Sequence, residues 1–269
     1  MSFRPTPAAL CALLAGAVAA AGCGGSDREA AETVAASTAA STAAVSTART
    51  TTSPACDDGE FQRLETGRVA YGGAVRSRAI AYARPHGNPI ARFGRLNVNQ
   101  VPMIFGVVGA RVDERCRPDW YRVRLPRKPN GVMGWVRAQD VTVLPVRTRI
   151  LVDLSDRRVT LFRNGRRVLT TRAAIGSSAT PTPTGSYYVN QRLVPADPTG
   201  PFGPGAIGIS AFSEVLTGWT QGGPIAIHGT NRPDLIGQAV SNGCLRVRND
   251  VLRRLFAATP EGTPVVIQS

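Results

Sequence analysis

Histidine is nearly missing from this chain. Its 269 residues hold only His86 and His228, and lysine is rarer still, with Lys128 alone among 32 basic residues. Two histidines and few cysteines supply no ligand set for zinc or a related ion, so no metal and no cofactor are expected. Also absent is any apolar run of the roughly 20 residues that a membrane-spanning helix needs; the stretch from Ala8 to Ala21 is too short and too rich in alanine. Zinc-finger and helix-turn-helix patterns are missing, and the arginines are scattered. The net charge of +14 therefore does not describe a nucleic-acid-binding protein. No internal repeat is visible.

Arg4 followed by the short apolar stretch reads as an export signal over residues 1–22. Its end, Ala20-Ala21-Gly22-Cys23, resembles the bacterial lipobox, in which small residues precede a cysteine that is acylated and becomes the mature N-terminus. Ala20 stands where leucine is usual, and a plain small-residue cleavage site is the alternative. The expectation is an exported lipoprotein, lipidated on Cys23 and held at the membrane facing the cell wall or periplasm. In that compartment a basic surface is drawn toward anionic wall polymers and headgroups. From Gly24 to Ala55 the chain is mostly Ala, Ser and Thr with no aromatic residue, too little apolar surface to offset ordering entropy. Residues 23–55 thus read as a disordered tether. Cys11 falls inside the signal, which leaves Cys56 and Cys116 to pair as a disulfide in an oxidising compartment.

Beyond the tether the sequence reads as mostly β. Between residues 79 and 145, short β-type runs such as Trp120-Tyr121-Arg122-Val123 and Gly134-Trp135-Val136 are separated by Gly, Pro and Asn turns, a spacing that suits a small barrel. From Arg149 the runs strengthen: Ile150 to Leu154, then Arg158 to Phe162, with Asn164-Gly165 as a hairpin turn before Arg167 to Thr171. The Gly- and Pro-rich stretch from Leu193 to Gln221 reads as one long loop placed to cover a site, with Trp219 either its aromatic contact or a core residue. Asn249-Asp250 offers N-cap chemistry to a short helix, and Pro264 to Ile267 closes with a strand.

The chemistry concentrates in Ile225-Ala226-Ile227-His228-Gly229-Thr230 and Ser241-Asn242-Gly243-Cys244-Leu245-Arg246. A thiol is a poor nucleophile until deprotonated, and a neutral imidazole within reach is the usual base. His86 lies among Arg84, Pro85, Gly87 and Asn88, a surface-turn composition, so His228 is the candidate. An inert buried Cys244 fits poorly beside polar Ser241 and Asn242.

These residues, with Asn249, Thr182-Pro183-Thr184-Gly185 and Arg149 to Leu154, resemble the L,D-transpeptidase catalytic domain of bacterial cell-wall enzymes, over residues 149–268. Residues 79–145 resemble a bacterial SH3-like domain, either a binder of peptidoglycan peptides or a spacer. The resemblance implies a β-sandwich with a short helix, preceded by a small barrel, acting as a monomer on peptidoglycan stem peptides as donor and acceptor. It implies Cys244 as nucleophile, His228 as base and then acid, and the Gly229 backbone carbonyl as the group orienting the imidazole. The N–H groups of Gly243 and Cys244 become oxyanion donors, and Arg246, Ser241, Asn242 and Trp219 substrate contacts. Arg246 has a structural alternative, and Ser241 reads as a loop hydrogen-bonding residue rather than a nucleophile. Asn242 stands where the family often has His, and an amide carries no proton in transit. The implied reaction is thioester formation on Cys244 with release of D-alanine, then 3→3 crosslinking. Resolution by water, making an L,D-carboxypeptidase, or an inactive wall-binding lipoprotein are the alternatives. Papain-like hydrolases present Cys before His, the reverse of this order.

Overall fold

The computed structural model describes residues 3–5, 56–216 and 218–269. The expected signal and tether therefore lie outside the described residues, apart from the short strand β1 (Phe3–Pro5), which pairs antiparallel with Leu193 to Pro195. Cys23 is among the residues not described.

The first sheet is wholly antiparallel. It comprises β2 (Phe61–Arg63), β3 (Ala70–Val75), β4 (Arg78–Tyr82), β5 (Pro89–Gly94), β6 (Ile104–Val112), β7 (Pro118–Arg124), β8 (Met133–Arg137) and β9 (Val141–Val146). Their order is β5-β4-β8-β7-β6-β3-β9, with β2 added on β6. Two strands thus lie upstream of the boundary read at residue 79; four of the six residues of β3 are glycine or alanine, and it carries little apolar alternation to read. Phe105, Val107, Val123 and Val136 form its core. Cys56 is bonded to Cys116, their Cα atoms 5.2 Å apart, which ties the entry of this sheet to the β6–β7 turn.

The second sheet contains β10 (Thr148–Asp153), β11 (Arg158–Arg163), β12 (Arg166–Arg172), β14 (Gly185–Pro195), β15 (Ala206–Phe212), β16 (Pro224–His228), β18 (Leu245–Arg246) and β19 (Pro264–Gln268), in the order β12-β11-β10-β19-β14-β15-β16-β18. Two short strands, β13 (Ile175–Gly176) and β17 (Ala239–Ser241), pair with each other. Asn164 and Gly165 join β11 to β12 with φ of 51° and 79°, the left-handed pair that a two-residue hairpin turn requires.

β14 belongs to both halves of this sheet: Gly185 to Tyr188 pair with β19, and Val189 to Leu193 with β15. The change of partner lets the two halves close over one core. Ile150, Val152, Val159 and Ile267 come from one side, and Ile207, Ile209, Ile225, Ile227 and Leu245 from the other. The single described α-helix, α1 (Asn249–Ala258), seals it with fully buried Leu252 and Leu255. Fully burying each such side chain is worth about 1.5–3 kcal/mol.

The long loop expected between Leu193 and Gln221 is not one loop. Its middle is β15, buried on both faces, so no polar alternation betrays it among the flanking glycines and prolines. Helix α1 also departs from expectation: its N-cap is Arg248, and the Asn249 side chain is used elsewhere. The two sheets meet at Tyr188, whose buried hydroxyl donates to the Ile104 carbonyl at 3.0 Å while its ring lies over Gly106.

Candidate active site

Strands β16 and β18 run parallel, Ile227 opposite Leu245 and His228 opposite Arg246. Ile225, Ile227, Leu245 and Val247 all point into the core. Side chains alternate along a strand, so Ala226, His228, Cys244 and Arg246 share the other face. Continued by one residue, the register sets Cys244 opposite Ala226, two pairs along the ladder from His228. Residues 16 apart in sequence thus become diagonal neighbours on one surface.

His228 is only 4% exposed. The ring of Phe202 lies with its centroid 4.8 Å away. Nδ1 is 2.6 Å from the Gly229 carbonyl oxygen, and since that oxygen can only accept, Nδ1 carries the proton and Nε2 keeps its lone pair. Burial pushes the imidazole down to about 4; the Gly229 contact opposes this and the nearby Arg246 charge adds to it. His228 is therefore neutral throughout the physiological range.

Cys244 is the one free cysteine among the described residues and is partly exposed. Its Sγ lies 4.0 Å from the Pro224 carbonyl oxygen. Desolvation by the surrounding protein pushes the thiol up, although the Ala226 N–H and the Arg246 charge pull it down. The surroundings of each group thus favour its neutral form.

The loop carrying the sulfur is braced from below. Thr182 Oγ1 donates to the Gly243 carbonyl at 2.8 Å and accepts from the Gly176 N–H at 2.9 Å. Thr180 Oγ1 donates to the Ser241 carbonyl at 3.0 Å. Asn249 Oδ1 accepts from the Thr230 N–H at 2.8 Å, holding the segment that follows His228. The motifs contain Thr182, to which the sequence assigns no role, and Asn249, to which it assigns only a helix cap. The signal was there, a threonine and an asparagine in the matching motifs, but their partners are 61 and 19 residues away.

Two of the expected site residues have partners within the loop itself. Ser241, placed among the substrate contacts, is 2% exposed and turned into its own loop; its Oγ donates to the Cys244 carbonyl at 2.5 Å and accepts from the Gly243 N–H at 3.2 Å. The Gly243 amide, expected as an oxyanion donor, is thereby already engaged. Arg246 sits beside both reactive groups, with its Nε buried and unpartnered among the described residues, which suits a group awaiting an anionic or carbonyl partner. Asn242 is exposed at the mouth of the loop. Trp219 is 53% exposed, which removes the core alternative. His86 packs edge-on against Trp120 in the first sheet, with ring centroids 5.2 Å apart, and has no part in this site.

Comparison with known proteins decides what this geometry belongs to. A family model for the L,D-transpeptidase catalytic domain matches residues 147–267. A putative L,D-transpeptidase of Bacillus subtilis is 36% identical over 149 residues, which cover 53% of this chain and 83% of that one. The chain belongs to the L,D-transpeptidase family. A Bacillus licheniformis relative of the same description is 38% identical over 119 residues, 44% of this chain and 64% of that protein. Among solved structures, the catalytic domain from Enterococcus faecium L,D-transpeptidase is similar at 25% identity, covering 45% of this chain and 96% of that one with a TM-score of 0.34. Enzymes of this family are cysteine-dependent and act on peptidoglycan peptides.

Proposed function

We propose that this L,D-transpeptidase forms 3→3 crosslinks through a thioester on Cys244, with release of D-alanine. The observation that supports it is the placement of His228 and Cys244 on one face of neighbouring parallel strands, with Nδ1 committed to Gly229. His228 Nε2 removes the Sγ proton as sulfur attacks the carbonyl joining the L-centre of meso-diaminopimelate to the terminal D-alanine. The same proton passes to the departing D-alanine amine as the peptide bond breaks. An acceptor amine then attacks the thioester, gives its proton to His228, and Sγ leaves and is reprotonated. No ATP is needed, because the energy of the broken peptide bond is kept in the thioester. The base is worth about 10²- to 10⁴-fold in rate. Oxyanion stabilisation falls to the Cys244 N–H, joined by the Gly243 N–H once it leaves Ser241 Oγ.

The same reading makes Cys23 the lipid anchor, residues 23–55 the tether and the first sheet an SH3-like module that holds wall peptides near the enzyme. Intact mass after carbapenem exposure tests the nucleophile: one adduct is expected on the wild type and none on Cys244→Ala. Incubation with tetrapeptide muropeptides tests the reaction. Crosslinked dimers with free D-alanine support it, and tripeptide product alone makes the enzyme an L,D-carboxypeptidase.

A further inference from the structure

Across the second sheet from Cys244, the row reads Ala226, Gly208 and Gln191, because Gly208 pairs with Ala226 on one side and with Gln191 on the other. At Gln191 the register shifts, and β14 places both Asn190 and Gln191 against Gly208. This is the geometry of a β-bulge, which turns two successive side chains toward one partner. A Cβ at Gly208 would lie 2.6 Å from the Gln191 side chain, so only glycine leaves the floor open there. Two small residues thus pave a strip about 14 Å long, three strand spacings, from the sulfur to a cluster of carboxamides.

The β5–β6 loop supplies the far wall of that strip. Asn97 Nδ2 and Asn99 Nδ2 both donate to Gln191 Oε1 at 2.9 Å, and Gln221, in the turn before β16, donates to Asn99 Oδ1 at 3.1 Å. These residues line a cavity of about 230 Å³ that also reaches Pro224, the residue whose carbonyl faces Sγ. Its remaining walls are apolar, among them Met103 and Phe212, and no charged side chain lines it. Asn190 Oδ1 is buried there without a hydrogen-bond partner among the described residues, an acceptor aimed at a donor still to come.

Along β16 the cavity and the base lie on opposite sides of the sulfur: Pro224 precedes Ala226 by two residues and His228 follows it by two. Proton transfer assigns those sides. The departing amine receives its proton from His228 and the attacking amine returns one to it, so both occupy the His228 side in turn. The acyl fragment must then extend the other way. We infer that the carboxamide-lined cavity between the two sheets holds the peptide part of the acyl-donor stem. Asn97 and Asn99, in the loop between β5 and β6, are specificity residues for the donor. The inference rests on the reaction proposed above. Peptide N–H and C=O groups are its chemical match, since carboxamides both donate and accept without a net charge.

The test uses the full chain with Asn97→Ala/Asn99→Ala, and separately Gly208→Leu, which fills the strip. With a tetrapeptide muropeptide donor, kcat/KM for D-alanine release is expected to fall on the order of tenfold in the double variant and further in Gly208→Leu, mainly through donor KM. Dependence on acceptor concentration should stay as in the wild type. Alkylation of Cys244 by iodoacetamide, too small to reach Gln191, reports whether the double variant keeps its site intact and should proceed at the wild-type rate. The inference is overturned if donor kcat/KM is unchanged in both variants, if alkylation of the double variant slows in parallel with turnover, or if only the acceptor dependence moves. A wild type that acylates with carbapenem yet releases no D-alanine from the tetrapeptide overturns the proposed reaction, and this inference with it.

Discussion

The two faces of the β16–β18 pair perform different work with alternate residues of the same two strands. One face is Ile225, Ile227, Leu245 and Val247, each no more than 1% exposed, and it holds the sheet to its core. The other is Ala226, His228, Cys244 and Arg246, and it carries the chemistry in the reaction proposed above. Pairing two parallel strands with His228 at the end of one and Cys244 at the start of the other costs the core nothing, because the period of two keeps the faces apart. The lesson is that His228 and Cys244 are each placed by an adjoining core residue, Ile227 and Leu245.

That division can be broken most forcefully from the apolar face. Leu245→Ala should lower unfolding free energy by about 2–5 kcal/mol through lost burial and a residual cavity. Iodoacetamide alkylation of the folded fraction should nevertheless stay within a few-fold of wild type, measured alongside urea unfolding. A large loss of Cys244 reactivity without loss of stability would show that the faces are not separable.

His228 belongs to both faces' interests, since it is a buried group that titrates. Its imidazole is pushed from 6.5 to about 4, so the unfolded chain binds a proton between those values that the folded chain refuses. The stability it contributes is complete above pH 6.5 and is lost as pH falls toward 4, on the order of 3 kcal/mol. Asp113, Asp153, Asp197 and Asp234 are also held below their ordinary range by hydrogen bonds, so acid weakens the fold through them too. The difference between wild type and His228→Gln isolates the histidine. Equal pH profiles for the two would contradict its burial as a neutral base.

The smallest effect is expected beneath the chemical face. Thr182→Val removes the hydroxyl that bridges the Gly176 N–H and the Gly243 carbonyl, and should cost about 1–3 kcal/mol. Unlike Leu245→Ala, it should also change the rate of Cys244 alkylation, because the group it releases adjoins the sulfur. An unchanged rate would mean that the loop holds its shape without this brace.

Much of the catalytic domain could be read in advance, and the reasons are local. The Asn164-Gly165 turn, the alternation in β10 and β11, and the apolar Ile225-Ala226-Ile227 run each announce themselves within a few residues. β15 was missed because a strand buried on both faces has no alternation, and β3 because glycine and alanine carry no period. His228 and Cys244 were legible as a pair by residue type. Thr182 and Asn249 were visible in the motifs but not in their roles, since a hydrogen bond to a carbonyl 61 residues away leaves no mark on the neighbouring sequence. The neutral resting state of the pair was likewise invisible, because it depends on how much protein surrounds each group.

By itself the sequence determined the β character and the family and pointed to the candidate reacting residues, because composition, period and motif spacing are properties of short windows of chain. Only the tertiary structure decided which residues stand across from Cys244: the Ala226-Gly208-Gln191 row, the bulge at Asn190, and Asn97 and Asn99 from the β5–β6 loop. Strand order and register are set by hydrogen-bond ladders between distant segments, and no local pattern encodes which ladders will form.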